Sequence, residues 1–405
     1  MPASPSTARA INDRLALRLL QDEGPLTAPQ LKQLTGLSRP TVADLVERLA
    51  VSGLIEVVGE AGAQRRGPNA RLYGIAADRA QLAALDVRTE GVAVLVSDLV
   101  GRVLAEASVP IGGDTGTGPA VERAVTLVER AAKQAGADRL HTVGIGAPGL
   151  IDPASGELRN STGLPEWHRR LVAALQERLP RARVSVENET NLAARAEQRE
   201  GVARDRDTFV LLWLGHGTGA AVVLDGRLRR GASGGTGEIG FLPVPGTSGL
   251  PSATDCEGGF HSLAGSAAIT ALAGEHGITA RPEPGEPTGA AVVRAAVRAV
   301  SAGASVPEGT PAPRTADAFL DALAERLALG AASVAAVLDP GCVVLGGEVG
   351  QTGGAELAGR VARRLERMTP LPTEVRPSVL GGGAVLRGAL LTARESAQET
   401  LFGAS

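Results

Sequence analysis

Leu26-Thr27-Ala28-Pro29-Gln30-Leu31-Lys32-Gln33-Leu34-Thr35-Gly36-Leu37-Ser38-Arg39-Pro40-Thr41-Val42-Ala43-Asp44-Leu45-Val46-Glu47-Arg48-Leu49 encodes two short helices and the turn between them. Thr27 is placed to cap the first, with Pro29 in its first turn and Leu31, Leu34 and Leu37 as its inward set. Gly36 ends it. Ser38 caps the second helix, again with an early proline, Pro40. Val42, Leu45, Val46 and Leu49 then fall at i, i+3, i+4 and i+7, which makes one buried stripe. Ser38, Arg39 and Thr41 are left at the exposed N-terminal end. A helix, a glycine turn and a capped second helix form a helix-turn-helix, whose second helix enters the DNA major groove N-terminus first.

The flanking residues complete a winged module. Arg9–Gln21 has helical period, with Ile11, Leu15, Leu19 and Leu20 inward, and supplies a supporting helix. Residues 1–8 are a Pro/Ser tail expected to lack order. Leu54–Val58 and Ala70–Ile75 read as strands, and the glycine-rich stretch Gly59–Asn69 between them carries Arg65 and Arg66 beside Gly67-Pro68, a basic wing. The same parts could serve protein contacts alone, but their order favours DNA. The expected contacts are Ser38, Arg39 and Thr41 with base edges or nearby phosphates, and Arg65 and Arg66 with the minor groove or flanking phosphates.

At 405 residues the chain holds two or three domains. An aromatic content of 2% argues against base stacking on single-stranded nucleic acid. Residues 1–75 carry nine Arg/Lys against seven Asp/Glu, a net +2 that leaves −5 on the remainder of a chain at −3. A mildly basic head on an acidic body suits a specific, salt-sensitive DNA binder rather than a coating protein. Two cysteines, Cys256 and Cys342, exclude a disulfide framework and a four-cysteine zinc site. With no charged-then-apolar leader and no long apolar run, a cytoplasmic location without membrane contact is expected.

The body opens with strands at Leu82–Val87, Gly91–Asp98 and Val103–Val109, a helix at Ala120–Ala135 and a buried strand at Thr142–Gly146. That order opens an actin-like, ribonuclease-H-like fold. Further on stand Val143-Gly144-Ile145-Gly146-Ala147-Pro148-Gly149, Asn160-Ser161-Thr162-Gly163-Leu164-Pro165-Glu166-Trp167, Val186-Glu187-Asn188-Glu189-Thr190-Asn191, Leu214-Gly215-His216-Gly217-Thr218-Gly219, Gly237-Glu238-Ile239-Gly240-Phe241 and Val343-Val344-Leu345-Gly346-Gly347. In order and spacing these resemble the ROK family (repressor, open reading frame, kinase), whose members are sugar kinases or regulators with the same body behind a winged helix-turn-helix. The resemblance spans residues 9–400.

Three departures from the kinase pattern shape the expected function. The resemblance implies a phosphate turn Asp-x-Gly-Gly-Thr; here it is Asp86-Val87-Arg88-Thr89-Glu90, filled by side chains and bearing the Glu90 charge. It implies an Asn-Asp pair whose Asp takes a proton from a sugar hydroxyl; here it is Asn188-Glu189, with the carboxylate moved by one methylene, enough to harm catalysis more than binding. Asn188 and Glu189 could equally cap the helix that follows. Finally, it implies a zinc site with a His after Gly-Glu-Ile-Gly and three cysteines. Phe241 holds the histidine position, Cys256 is the one cysteine between Ala253 and Ser262, and Phe241 and Phe260 are expected to pack where the metal would be. The remaining polar set for a sugar or sugar derivative is Asn160, Asn188, Glu189 and Glu238, with His261.

The expected fold class is α/β: a winged helix-turn-helix over residues 1–76, then a two-lobed body with a first lobe at 77–190 and a second at 191–405, its last helix, Ala384–Ala397, returning to the first lobe. The expected function is a DNA-binding regulator, a repressor, whose kinase-like body has lost catalysis and zinc, senses a sugar-like effector and forms a dimer or tetramer on a palindromic operator. The alternatives are an active ATP-dependent sugar kinase with a DNA-binding head, and a regulator without ligand.

Overall fold

A computed structural model describes residues 5–61, 70–159, 164–302 and 311–403, with Pro5 and Ser6 described by their backbone alone. The head comprises α1 (Pro5–Asp22), β1 (Leu26–Thr27), α2 (Ala28–Thr35), α3 (Arg39–Val51), β2 (Ile55–Ala61) and β3 (Ala70–Ile75), its sheet ordered β1-β3-β2. Thr27 and Gln30 form a reciprocal capping box: Thr27 Oγ1 accepts from Gln30 N at 3.3 Å, and Gln30 Oε1 accepts from Thr27 N at 2.9 Å. Gly36 closes α2 at φ 70°, a left-handed conformation that suits glycine. The expected stripe Val42, Leu45, Val46 and Leu49 is buried.

Several local expectations are corrected. The first helix begins at Pro5, within the tail expected to lack order. It buries Asp13, Ala16, Leu17 and Leu20, whereas Ile11 is 55% and Leu15 39% exposed. The helix carries apolar residues on more than one side, and an ion pair selects the face. Arg48 of α3 donates to Asp13 Oδ1 at 2.6 Å and also pairs with Asp44, so a nearly buried carboxylate gains its cation only in this rotation. In α2, eight residues long, Leu31 alone is buried and Leu34 is exposed. The β2–β3 ladder extends to Ala61–Ala70, which shortens the wing tip. Arg65 and Arg66 lie outside the described residues.

The first lobe of the body contains β4 (Gln81–Arg88), β5 (Gly91–Asp98), β6 (Val103–Pro110), α4 (Thr117–Gln134), β7 (Thr142–Ala147), α5 (Glu166–Arg178), β8 (Arg183–Asn188) and α6 (Glu189–Glu200). Its sheet runs β6-β5-β4-β7-β8, with β4 antiparallel to β5 and parallel to β7. Burial on both faces explains why β4 is apolar from Leu82 to Leu85. Ala83, Leu85 and Val87 pack with α4 and α5, while Ala84 packs with Leu192, Val385 and Ala389 on the other face.

The second lobe contains β9 (Phe209–Leu214), β10 (Thr218–Leu224), β11 (Arg227–Arg229), α7 (His261–Ala264), α8 (Ser266–Glu275), α9 (Thr288–Ala302), α10 (Pro313–Leu338), β12 (Cys342–Gly346), α11 (Gly347–Leu365) and β13 (Glu374–Pro377), in sheet order β11-β10-β9-β12-β13. The α11 helix starts directly after β12, at Gly347, and kinks at Gly354. Phe260 is fully buried, but Phe241 is 37% exposed, so only one of the two phenylalanines packs as expected. Backbone close to the Cys256 region is crowded, and an apolar ring at 241 finds more room at the surface than inside.

The last helix, α12 (Ala384–Gly403), packs on the sheet of the first lobe beside α6. It lies flush on the sheet because Gly144 and Gly146 have no side chains: a methyl at 144 would come within 2.6 Å of the Ala389 carbonyl oxygen. The same helix also reaches the head. Ala393, Ala397 and Phe402 share one core with Leu17, Leu20 and Leu31, joined by Leu82 and Leu99 of the body. Among the described residues no helix is long and apolar enough to cross a membrane.

Candidate functional site

Two sites stand out in this frame. In the head, the N-terminal end of α3 projects from a packed base. Ser38 and Arg39 are exposed and Thr41 half-buried. Ser38 Oγ accepts from Thr41 N at 3.3 Å and lies 2.8 Å from Thr41 Oγ1, so both hydroxyls are held in the cap. Arg39 makes no ion pair among the described residues. The unsatisfied N–H groups and positive dipole end of a helix add to its charge, a pattern suited to a phosphate or a base edge. Asp44 and Glu47 sit further along the exposed side of α3. They would oppose phosphates, so the N-terminal end is the approach.

The second site is the cleft between the lobes. Asn188 ends β8 and caps α6, accepting from Thr190 N at 2.9 Å, while its Nδ2 donates to Gly149 O at 3.1 Å and Glu189 Oε2 at 2.9 Å. The capping alternative is therefore real for Asn188, and capping also orients Glu189. Behind them Glu187 is nearly buried and accepts from Asn188 N, Asn191 Nδ2 and Arg230, which fixes the strand end. The half-buried Glu189 carboxyl is pushed up to about 8, first by burial and then by the charges of Asp86, Glu238 and Glu348. Glu238 itself is exposed. His261 is half-buried and lowered by burial, and the charge that bears on it is Asp255 rather than the Glu189 group. Asn160 lies outside the described residues. Thus Asn188, Glu189 and Glu238 come together, and His261 stands apart with Asp255.

The main surprise is the turn Asp86–Glu90. Glu90 is exposed, and Arg88, itself 45% exposed, is the side chain that reaches across to the second lobe. Its Nε donates to the buried Asp86 Oδ2 at 2.8 Å, a terminal nitrogen donates to Gly382 O at 3.2 Å, and another stands 3.6 Å from Glu348 Oε1. Burial pushes the Asp86 carboxyl up, and Arg88 pulls it back. Opposite, the Glu348 carboxylate lies over the Gly215 turn, where a methyl on Gly215 would meet Glu348 Oε2 at 2.6 Å. The sequence could flag Arg88 as replacing a small residue. Asp86 is a local partner, but Glu348 and Gly382 lie some 260 to 290 positions away and gave no local signal.

A zinc ion does not fit the region 253–262. One half-buried thiol, Cys256, remains there, with an exposed Phe241 at the histidine position. Among the described residues no three His, Cys, Asp or Glu side chains converge as metal ligands do.

Comparison with known proteins agrees with both halves. Residues 11–66 match the MarR family and residues 82–396 the ROK family. The chain is 26% identical over 240 residues to the xylose repressor of Caldicellulosiruptor bescii, covering 58% of this chain and 59% of that protein. It is 27% identical over 248 residues to the DNA-binding transcriptional dual regulator NagC of Escherichia coli, covering 58% of each. These matches span a little under three fifths of the length of those curated relatives. Among solved structures, a ROK family transcriptional regulator described as a homolog of E. coli MLC protein superposes with TM-score 0.75 at 21% identity, covering 98% of both chains. A ROK family glucokinase from Streptomyces griseus, in complex with glucose and AMPPNP, gives TM-score 0.62 at 25% identity over 78% of this chain and 99% of its own. With its two-lobed body matched across residues 82–396 behind a winged head, the chain belongs to the ROK family.

Proposed function

We propose that this protein is a sequence-specific DNA-binding transcriptional regulator, a repressor, whose body binds a sugar or sugar derivative without phosphorylating it. The exposed N-terminal end of α3, with Arg39 free of ion pairs among the described residues, carries the reading of the head. Its relatives include proteins named as repressors of xylose and N-acetylglucosamine systems. Ser38, Arg39 and Thr41 meet the major groove, and Arg65 and Arg66 of the wing reach the adjacent minor groove or phosphates. Two heads act on a palindromic site, which requires at least a dimer.

Two features support a body that binds and does not catalyse. A carboxyl held near 8 is mostly protonated at neutral pH, so Glu189 can donate a hydrogen bond to a ligand hydroxyl. Arg88 fills the turn Asp86–Glu90, and its partner Glu348 lies over the Gly215 turn. Asn188, Glu189 and Glu238 form the polar side of the effector site.

Arg39→Ala is expected to weaken operator binding by roughly 1–3 kcal/mol, about fivefold to 150-fold, if the guanidinium reads a guanine. Fluorescence anisotropy with matched and base-substituted duplexes measures it. Equal affinity of variant and parent for the matched duplex would remove Arg39 from the interface.

A further inference from the structure

We infer that Arg88 and Glu348 form a latch between the lobes, and that α12 carries its state to the head. Arg88 ends the central strand of the first lobe. Glu348 lies in the first turn of α11 in the second lobe, and the charges are 3.6 Å apart. Arg88 also donates to Gly382 O at 3.2 Å, and Gln351 of α11 donates from Nε2 to Gly381 O at 2.8 Å. The segment Gly381–Gly383 is thereby tied to both lobes at once, and it runs directly into α12.

From that point α12 is a single 20-residue helix, about 30 Å long. Gly388 crosses α6 in direct backbone contact with Leu192, and Phe402 ends in the core of the head. A change in lobe angle that breaks Arg88 from Gly382 or Glu348 shifts the root of this helix. The helix is wedged against α6 and the sheet, so the displacement is passed on to α1. The asymmetry of the pair fits a switch. Asp86 holds Arg88 from within its own lobe, so the guanidinium stays anchored when Glu348 withdraws. The Glu189 carboxyl, which feels both Asp86 and Glu348, places the effector site beside the latch.

The last step of this inference rests on the regulator reading; the latch itself does not, and it is tested without DNA. Full-length protein in a Cys256→Ser background is spin-labelled at Arg130→Cys on α4 and Val337→Cys on α10, both exposed positions, and the interlobe distance is read by pulsed electron resonance. Arg88→Ala and Glu348→Gln should each raise the open population about fivefold, as loss of a partly exposed ion pair implies. The double variant should go no further than Arg88→Ala alone. Amides of 384–403 should exchange faster in both. Glu348→Gln keeps the packing over Gly215 and preserves the test if Arg88→Ala fails to fold. Unchanged distances in Glu348→Gln, or strictly additive effects, would overturn the latch. Opening without faster exchange in 384–403 would overturn the role of α12. Opening in a protein that selects no DNA would leave the latch standing and remove the regulator.

Discussion

Gly388→Ala is expected to destabilise the full-length protein by about 3 kcal/mol or more, among the larger effects open to a single methyl. The added carbon would fall inside the van der Waals radius of the Leu192 carbonyl oxygen, on the backbone of α6. Neither partner is a flexible side-chain end, so two helices must separate. Separation strips apolar contacts from Ala84, Val385 and Ala389, which pack around Leu192 in the same small core. It also lifts the helix on which the head sits, because Ala393, Ala397 and Phe402 lie further along it. The variant should therefore lose thermal stability and specific DNA binding together. A melting temperature within a degree of the parent, with unchanged DNA binding, would show that α12 is not wedged as described.

Glu189→Gln is expected to become more stable relative to the parent as pH rises. The sign follows from the raised carboxyl. Folded Glu189 titrates near 8 and the unfolded side chain near its ordinary 4.5. Between those values the native state holds a proton that the unfolded state has released, so parent stability falls across the window. Below it both states are protonated; above it both are ionised and the cost of the buried charge is complete. The full shift corresponds to roughly 1.4 kcal/mol per pH unit, and partial exposure of the group reduces the total to about 2–3 kcal/mol. Glutamine cannot ionise and escapes the loss. Melting curves of both proteins from pH 4 to 9 measure the difference. A constant gap would mean an ordinary, unshifted carboxylate at 189 and would contradict its burial beside Asp86, Glu238 and Glu348.

The head was legible in the sequence because its signals are local. Caps at Thr27 and Ser38, the break at Gly36 and the stripe from Val42 to Leu49 each depend on neighbours within one or two turns. The same local reading failed for α1. Ile11, Leu15 and Leu19 offer a plausible face, and only the distant Arg48, reaching Asp13, reveals the correct one. In the body, the strand order and the Gly144 and Gly146 positions were legible as motif. Their physical reason, the seat of α12, required the fold. The cleft divides in the same way. Asn188 and Glu189 announce themselves at a strand end, whereas the Arg88 contacts with Glu348 and Gly382 arise only when the lobes meet. Phe241 was expected to pack by analogy with a lost ligand, but its position lies at the surface.

The central claim is that the head reads DNA sequence. The most direct measurement is repeated selection of a random duplex library by the full-length protein, followed by sequencing. The expected outcome is enrichment of an inverted repeat with half-sites separated by one helical turn or a multiple of it, and loss of a preferred base when Arg39→Ala is used instead. Selection that enriches no sequence over the starting library, at salt low enough for non-specific binding to be seen, would contradict it.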